Sequence, residues 1–139
     1  MPSPLTAACI AAAAALFHVP EPALWTILKT EGGQVGRCVA QSNGTHDCGP
    51  AQINAETWVA PLARLLRRPP DEIFIDLRDN GCFNIYAGAY VLRSKLREAG
   101  GDIWDAAGRY NSATPVFKSE YQDRLARAYA WLFVPRTAR

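Results

Sequence analysis

Three residue pairs punctuate this chain: Gly32-Gly33, Pro69-Pro70 and Gly100-Gly101. Between them the pattern is helical nearly throughout, so these breakers largely set how long each helix can be. Glycine accepts the left-handed backbone that closes a helix, and proline cannot continue one. A first helix is predicted over about 4–17, broken by His18-Val19-Pro20. Pro22 suits the first turn of a second helix, which runs to about Glu31 and stops at the glycines. Residues 34–49 hold Gly, Asn, Thr and Asp and read as an irregular loop or a short hairpin near 38–48, with Asn43-Gly44 as a turn signal. A third helix is expected over 54–67, ended by the prolines, and a short one after Asp71. A long helix follows over 79–99, with Ile85, Ala89, Leu92 and Leu96 on one stripe. Asp102 is a fair N-cap for the next helix, which ends near Asn111, and the last covers 116–133. The basic tail, about 135–139, is read as loose. The expected fold class is mainly α, in a single domain over 1–139.

The bulk numbers fit that reading. A chain of 139 residues is long enough for one domain with a core. It is 49% hydrophobic and 20% charged, an ordinary globular balance. A net charge of +2 is too weak to argue for nucleic acid. The apolar run from Cys9 to Phe17 resembles the core of a signal peptide, but no Lys or Arg precedes it. It is also too short to span a membrane. It is read as a buried first helix of an exported protein, with the signal peptide absent from this chain and Met1 an addition. The four cysteines, Cys9, Cys38, Cys48 and Cys82, fit two disulfides and an oxidising compartment. Their count alone leaves three pairings open. Zinc is the rival reading, from Cys38, His46 and Cys48, but no C-x-x-C occurs and the spacing fits no common zinc module.

Glu31 is the first residue with chemical promise. A carboxyl half-buried beside Trp25 or Leu28 holds its proton more tightly, as a general acid near neutral pH requires. By itself the signal is weak, because a Glu in the last turn of a helix is as a rule solvated. The rest of the chain adds to it. After Glu31-Gly32-Gly33 come a polar loop, Gly44-Thr45-His46-Asp47-Cys48-Gly49-Pro50-Ala51-Gln52-Ile53-Asn54, then Asn84-Ile85-Tyr86-Ala87-Gly88 within a helix, then Tyr110-Asn111.

This order resembles the lytic transglycosylases of the lysozyme-like superfamily, from about Cys9 to Phe133. The closest likeness is to the small specialised transglycosylases of conjugation, pilus and type III secretion systems. The resemblance implies a lysozyme-like (SLT-type) fold and cleavage of the glycan strands of peptidoglycan, with Glu31 as acid and base. It implies Gln52, Tyr110 and Asn111 in the substrate cleft, and the pairs Cys9–Cys82 and Cys38–Cys48. It also implies a periplasmic setting and components of such a machine as partners. No metal or cofactor is expected. The chain departs from the family pattern at Gly32, where the family has Ser, at Pro50-Ala51, where it has Leu-Met, and at Ser112-Ala113, where it has Ala-Gly.

Asp47 is the second carboxylate to weigh. The stretch around it also resembles c-type lysozyme, where the matching Asp is nucleophile or charge stabiliser, and a spacing of about 5 Å from Glu31 would suit a retaining hydrolase. The plainer role for Asp47 is to brace its loop. Trp25, Trp58, Trp104 and Trp131 are expected in the core, with Trp58 the best candidate for a sugar contact. His18 and His46 are read as structural or exposed. Three functions follow: a transglycosylase, a muramidase using Glu31 and Asp47, and a wall-binding assembly protein that has lost turnover.

Overall fold

The computed structural model describes residues 2–138. Met1, read above as an addition, and Arg139 lie outside the described residues. Helices dominate: α1 (Ala7–Phe17), α2 (Glu21–Glu31), α3 (Ala55–Leu66), α4 (Pro70–Asp79), α5 (Gly81–Glu98), α6 (Ile103–Asn111) and α7 (Pro115–Phe133). Between α2 and α3 lie three short strands, β1 (Cys38–Ala40), β2 (His46–Cys48) and β3 (Ile53–Asn54). The fold is therefore mainly α with one small antiparallel sheet in the order β1-β2-β3.

The start of α1 falls later than the sequence pattern suggests. Thr6 caps it, accepting from Cys9 N at 3.2 Å. The residues before Thr6 are committed elsewhere: Ser3 N donates to Asp79 O and Gly81 N donates to Ser3 O, both at 2.8 Å. The alanines of α1 keep its buried face thin, so it packs closely on α5. The Cys9–Cys82 disulfide joins the same two helices.

The proline pair does more than end α3. Pro70 opens α4 in the first turn, where its missing amide costs nothing, so the short helix runs ten residues. The predicted long helix is found as α5, starting two residues later than expected because Asn80, whose extended backbone closes α4, caps α5 with its side chain by accepting from Phe83 N at 3.0 Å. Asn54, read above as the start of a helix, instead joins Ile53 in β3. Asn54 is still the N-cap of α3, accepting from Thr57 N at 3.0 Å.

The central helix is α5, packed against α1, α4 and α6, while α2 packs on α7. Ile85, Ala89 and Leu92 of its predicted stripe are fully enclosed, beside Leu24, Ile27, Leu77 and Leu125 from the neighbouring helices. Two of the four tryptophans are not core residues as expected: Trp104 and Trp131 are 50% and 55% exposed. They lie on the outward sides of α6 and α7, and the Lys29 ammonium sits 3.9 Å from the Trp131 ring centre, a favourable pairing for an aromatic held at the surface. The tail read as loose carries a 3₁₀ turn over Arg136–Ala138.

Candidate active site

Glu31 is the last residue of α2 because Gly32 turns left-handed, with φ 62°, and donates its amide to Leu28 O at 3.0 Å. Gly33 is required for a different reason. A Cβ there would fall 2.0 Å from the Gly49 carbonyl oxygen and 2.7 Å from Gln52 Nε2. The chain leaving Glu31 is thus pressed against the loop that joins β2 to β3, and the carboxyl is carried to that loop's edge.

The loop hangs from one buried side chain. Asn84 of α5 accepts from Ala51 N at 2.7 Å and donates to Cys48 O and Leu77 O, both at 2.8 Å. Tyr110 of α6 donates its hydroxyl to Ala51 O at 2.7 Å. Gln52 adopts a positive φ of 53°, and its Nε2 donates to Gly49 O at 3.0 Å and to Asp47 O at 3.4 Å. Below the loop, Cys38 and Cys48 face each other across β1 and β2 and are joined by the second disulfide. With both thiols so engaged and His46 Nδ1 held 2.9 Å from Glu56 Oε2, the zinc reading of these residues has no ligand set.

Strand alternation then fixes Asp47. Its neighbour Cys48 points into the core, so Asp47 points outward, accepting from Asn54 Nδ2 at 3.1 Å. Asn54 Nδ2 also donates to Thr45 Oγ1 at 2.9 Å. The structure brings Glu31, Asp47, Gln52, Trp58, Tyr110 and Asn111 to the walls of one cleft of about 350 Å³. A smaller hollow of about 170 Å³ shares Glu31 and Gln52 and lies along Gly32, Gly33 and Arg37. A separate hollow of about 250 Å³ between α2, α6 and α7 is apolar and has no carboxylate in its lining.

Glu31 is a carboxyl whose titration is set by its surroundings. Burial raises its pKa above the ordinary 4.5, while the Tyr121 hydrogen bond and the Arg124 charge pull it down and the Asp47 charge adds to the rise. Tyr121, buried on α7, donates to Glu31 Oε2 at 2.6 Å. Burial and the Glu31 charge hold both Tyr110 and Tyr121 above their ordinary pKa of 10.0, so both remain protonated donors. Asp47 is raised as well, first by burial and then by Glu56, against the Asn54 hydrogen bond. The arrangement offers a shielded carboxyl able to carry a proton, a second carboxylate, and amide and hydroxyl groups suited to a polar chain-like substrate.

Tyr121 and Arg124 were not singled out from the sequence, and Asn54 and Asn84 stood in the quoted motifs without a role in the site. Tyr121 falls on the apolar stripe of α7 with Leu125 and Ala128, so periodicity reads it as core and conceals its hydroxyl. Asn84 left a fainter signal, a polar residue beside the apolar stripe of α5.

Helices packed around α5, with a small sheet beside them and a carboxyl at a helix end facing a polar groove, make a lysozyme-like arrangement. The chain matches the transglycosylase SLT domain family over residues 8–129 and belongs to that family. It is thereby placed among the lytic transglycosylases of the lysozyme-like superfamily, whose substrate is peptidoglycan. No curated protein and no solved structure matches the chain. Its two disulfides fit an exported protein, and no helix among the described residues is long and apolar enough to cross a membrane.

Proposed function

We propose that this chain, as one catalytic domain, cleaves the β-1,4 bond between N-acetylmuramic acid and N-acetylglucosamine and leaves 1,6-anhydromuramic ends. The observation that carries the reading is the position of Glu31: shielded in the cleft, hydrogen-bonded by Tyr121, and raised in pKa chiefly by burial.

The protonated Glu31 gives its proton to the glycosidic oxygen as the bond breaks. Positive charge then grows on the muramic sugar in an oxocarbenium-like state, and the substrate's own 2-acetamido oxygen assists. Glu31, now a carboxylate, takes the proton of the C6 hydroxyl, which attacks C1 of the same sugar. One carboxyl serves both steps, and the intramolecular nucleophile gains from proximity. Tyr121 steadies the carboxyl in its charged form. Gln52, Tyr110 and Asn111 hold the glycan, and Asp47 lies beside the reacting sugar, where its charge favours the cationic state. The reading extends to the periplasm as the place of action and to local wall remodelling for an envelope-spanning assembly, which rests on the family likeness alone.

Asp47 supports a second reading, hydrolysis by water at the same site, because it shares the cleft with Glu31. Digestion of purified sacculi followed by mass spectrometry of the muropeptides separates the two. Anhydro ends are expected, and reducing ends would favour the hydrolase. Glu31→Gln is expected to fold normally and to lose at least about 10²-fold in cleavage. A variant that digests sacculi as well as its parent removes Glu31 from the mechanism.

A further inference from the structure

Where the last turn of α2 meets α7 lies a shallow surface hollow lined by Lys29, Thr30, Arg124, Arg127, Ala128 and Trp131. Three of these side chains are cationic, and among the described residues none of the three is in an ion pair. Glu120 and Asp123 stand one helical turn before Arg124 and Arg127 on α7, yet neither forms a salt bridge with them. On a chain whose net charge is only +2, three cations lining one hollow favour an anion there, although Arg124 also feels the Glu31 charge.

The patch is built into the site's framework. Arg124 donates to Thr30 O at 3.1 Å, the residue before Glu31. Its guanidinium also lies 5.5 Å from the Tyr121 ring centre, and Tyr121 is the residue bonded to Glu31. Lys29, two residues before Glu31, rests over Trp131. From Tyr121 to Trp131 along α7 is about 15 Å at the rise of a helix. A stem of about four residues extends about 13 Å, so a peptide leaving a sugar at Glu31 has the reach to cover Arg124 and Arg127.

We infer that the Lys29–Arg124–Arg127 patch is a binding subsite for the acidic peptide stem carried by the muramic acid of peptidoglycan. The inference rests on the glycan-cleaving assignment of the neighbouring cleft. The stem peptide presents several carboxylates, which match three cations of one sign. A bound carboxylate also neutralises Arg124, the charge that otherwise draws the proton off Glu31. A peptide-bearing strand would thus help keep its own acid catalyst protonated.

The test compares a soluble disaccharide-tetrapeptide with the same disaccharide stripped of its peptide, each titrated into the full chain by calorimetry at low and high salt. The peptide-bearing form is expected to bind about tenfold more tightly, in line with a few exposed charge contacts, and salt should erase the difference. In Lys29→Gln/Arg127→Gln the difference should vanish, and in the charge-preserving Lys29→Arg/Arg127→Lys it should return. Equal affinity of the parent for the two sugars, or a peptide preference that survives the glutamine pair, overturns the inference. If neither sugar binds at all, the glycan-cleft reading falls with it. If both bind equally, only the peptide subsite falls.

Discussion

Burial of a carboxyl has a thermodynamic signature that belongs to the residue itself. Because burial sets the folded-state pKa of Glu31 above the ordinary 4.5, the folded protein binds its proton more readily than the unfolded chain does. Folded stability from this group is therefore greatest at low pH and declines as pH rises from about 4.5 through the raised value. The melting temperature of the parent, measured against Glu31→Gln across this range, is expected to fall progressively. A constant difference would mean that the carboxyl titrates like a solvated one. Activity should share the alkaline limit, since a deprotonated Glu31 has no proton to donate. Tyr121→Phe gives an independent check on the same atom. The lost hydroxyl is one of the forces that lower the pKa of Glu31, so the alkaline limb of the pH–rate profile should move to higher pH. The accompanying loss of stability should be about 1 kcal/mol, readable by urea denaturation.

At the scale of elements, the cleft depends on how one loop is fastened to α5. Asn84 satisfies one amide and two carbonyls in a fully enclosed position. Truncation strands all three groups, and each stranded group costs about 1–3 kcal/mol. Asn84→Ala is therefore expected to lower stability by about 3 kcal/mol or more, and the melting temperature by about 10 °C. Asn84→Asp keeps the acceptor for Ala51 N but not the two donors, so it should rescue little. If either variant melts like the parent, the loop has another anchor. The elements also explain the departure at Gly32. The residue after Glu31 sits at φ 62° with nothing within 4 Å of a notional Cβ, so the position favours glycine for its backbone and leaves open space where the family carries a serine. Helix ends of this kind were readable from Gly-Gly and Pro-Pro. The strand β3 was not, because two residues form a strand only by pairing with Asp47 and Cys48 of β2, which the turn between them brings alongside.

Across the whole molecule, the two disulfides constrain very different lengths of chain. Cys9–Cys82 spans 73 residues and Cys38–Cys48 spans 10. By loop-closure entropy the longer is worth about 4.5 kcal/mol and the shorter about 3 kcal/mol. Cys9→Ala/Cys82→Ala should accordingly lower the melting temperature more than Cys38→Ala/Cys48→Ala. The second pair should weaken glycan binding more, because it closes the hairpin that carries Asp47. Equal effects on both readouts would contradict this division of roles. Much was settled by the sequence alone: helix-dominated architecture, the glycine stop after Glu31, the even cysteine count and the ordered motifs that resemble a transglycosylase. These are local or ordinal properties, written in spacing and residue type. The tertiary structure decided which groups meet Glu31, since Tyr121 and Arg124 are distant from it in sequence and reach it only when α7 packs on α2. It also decided the burial that raises the pKa of that carboxyl, because desolvation is a property of the surrounding volume, and no stretch of sequence by itself defines a volume.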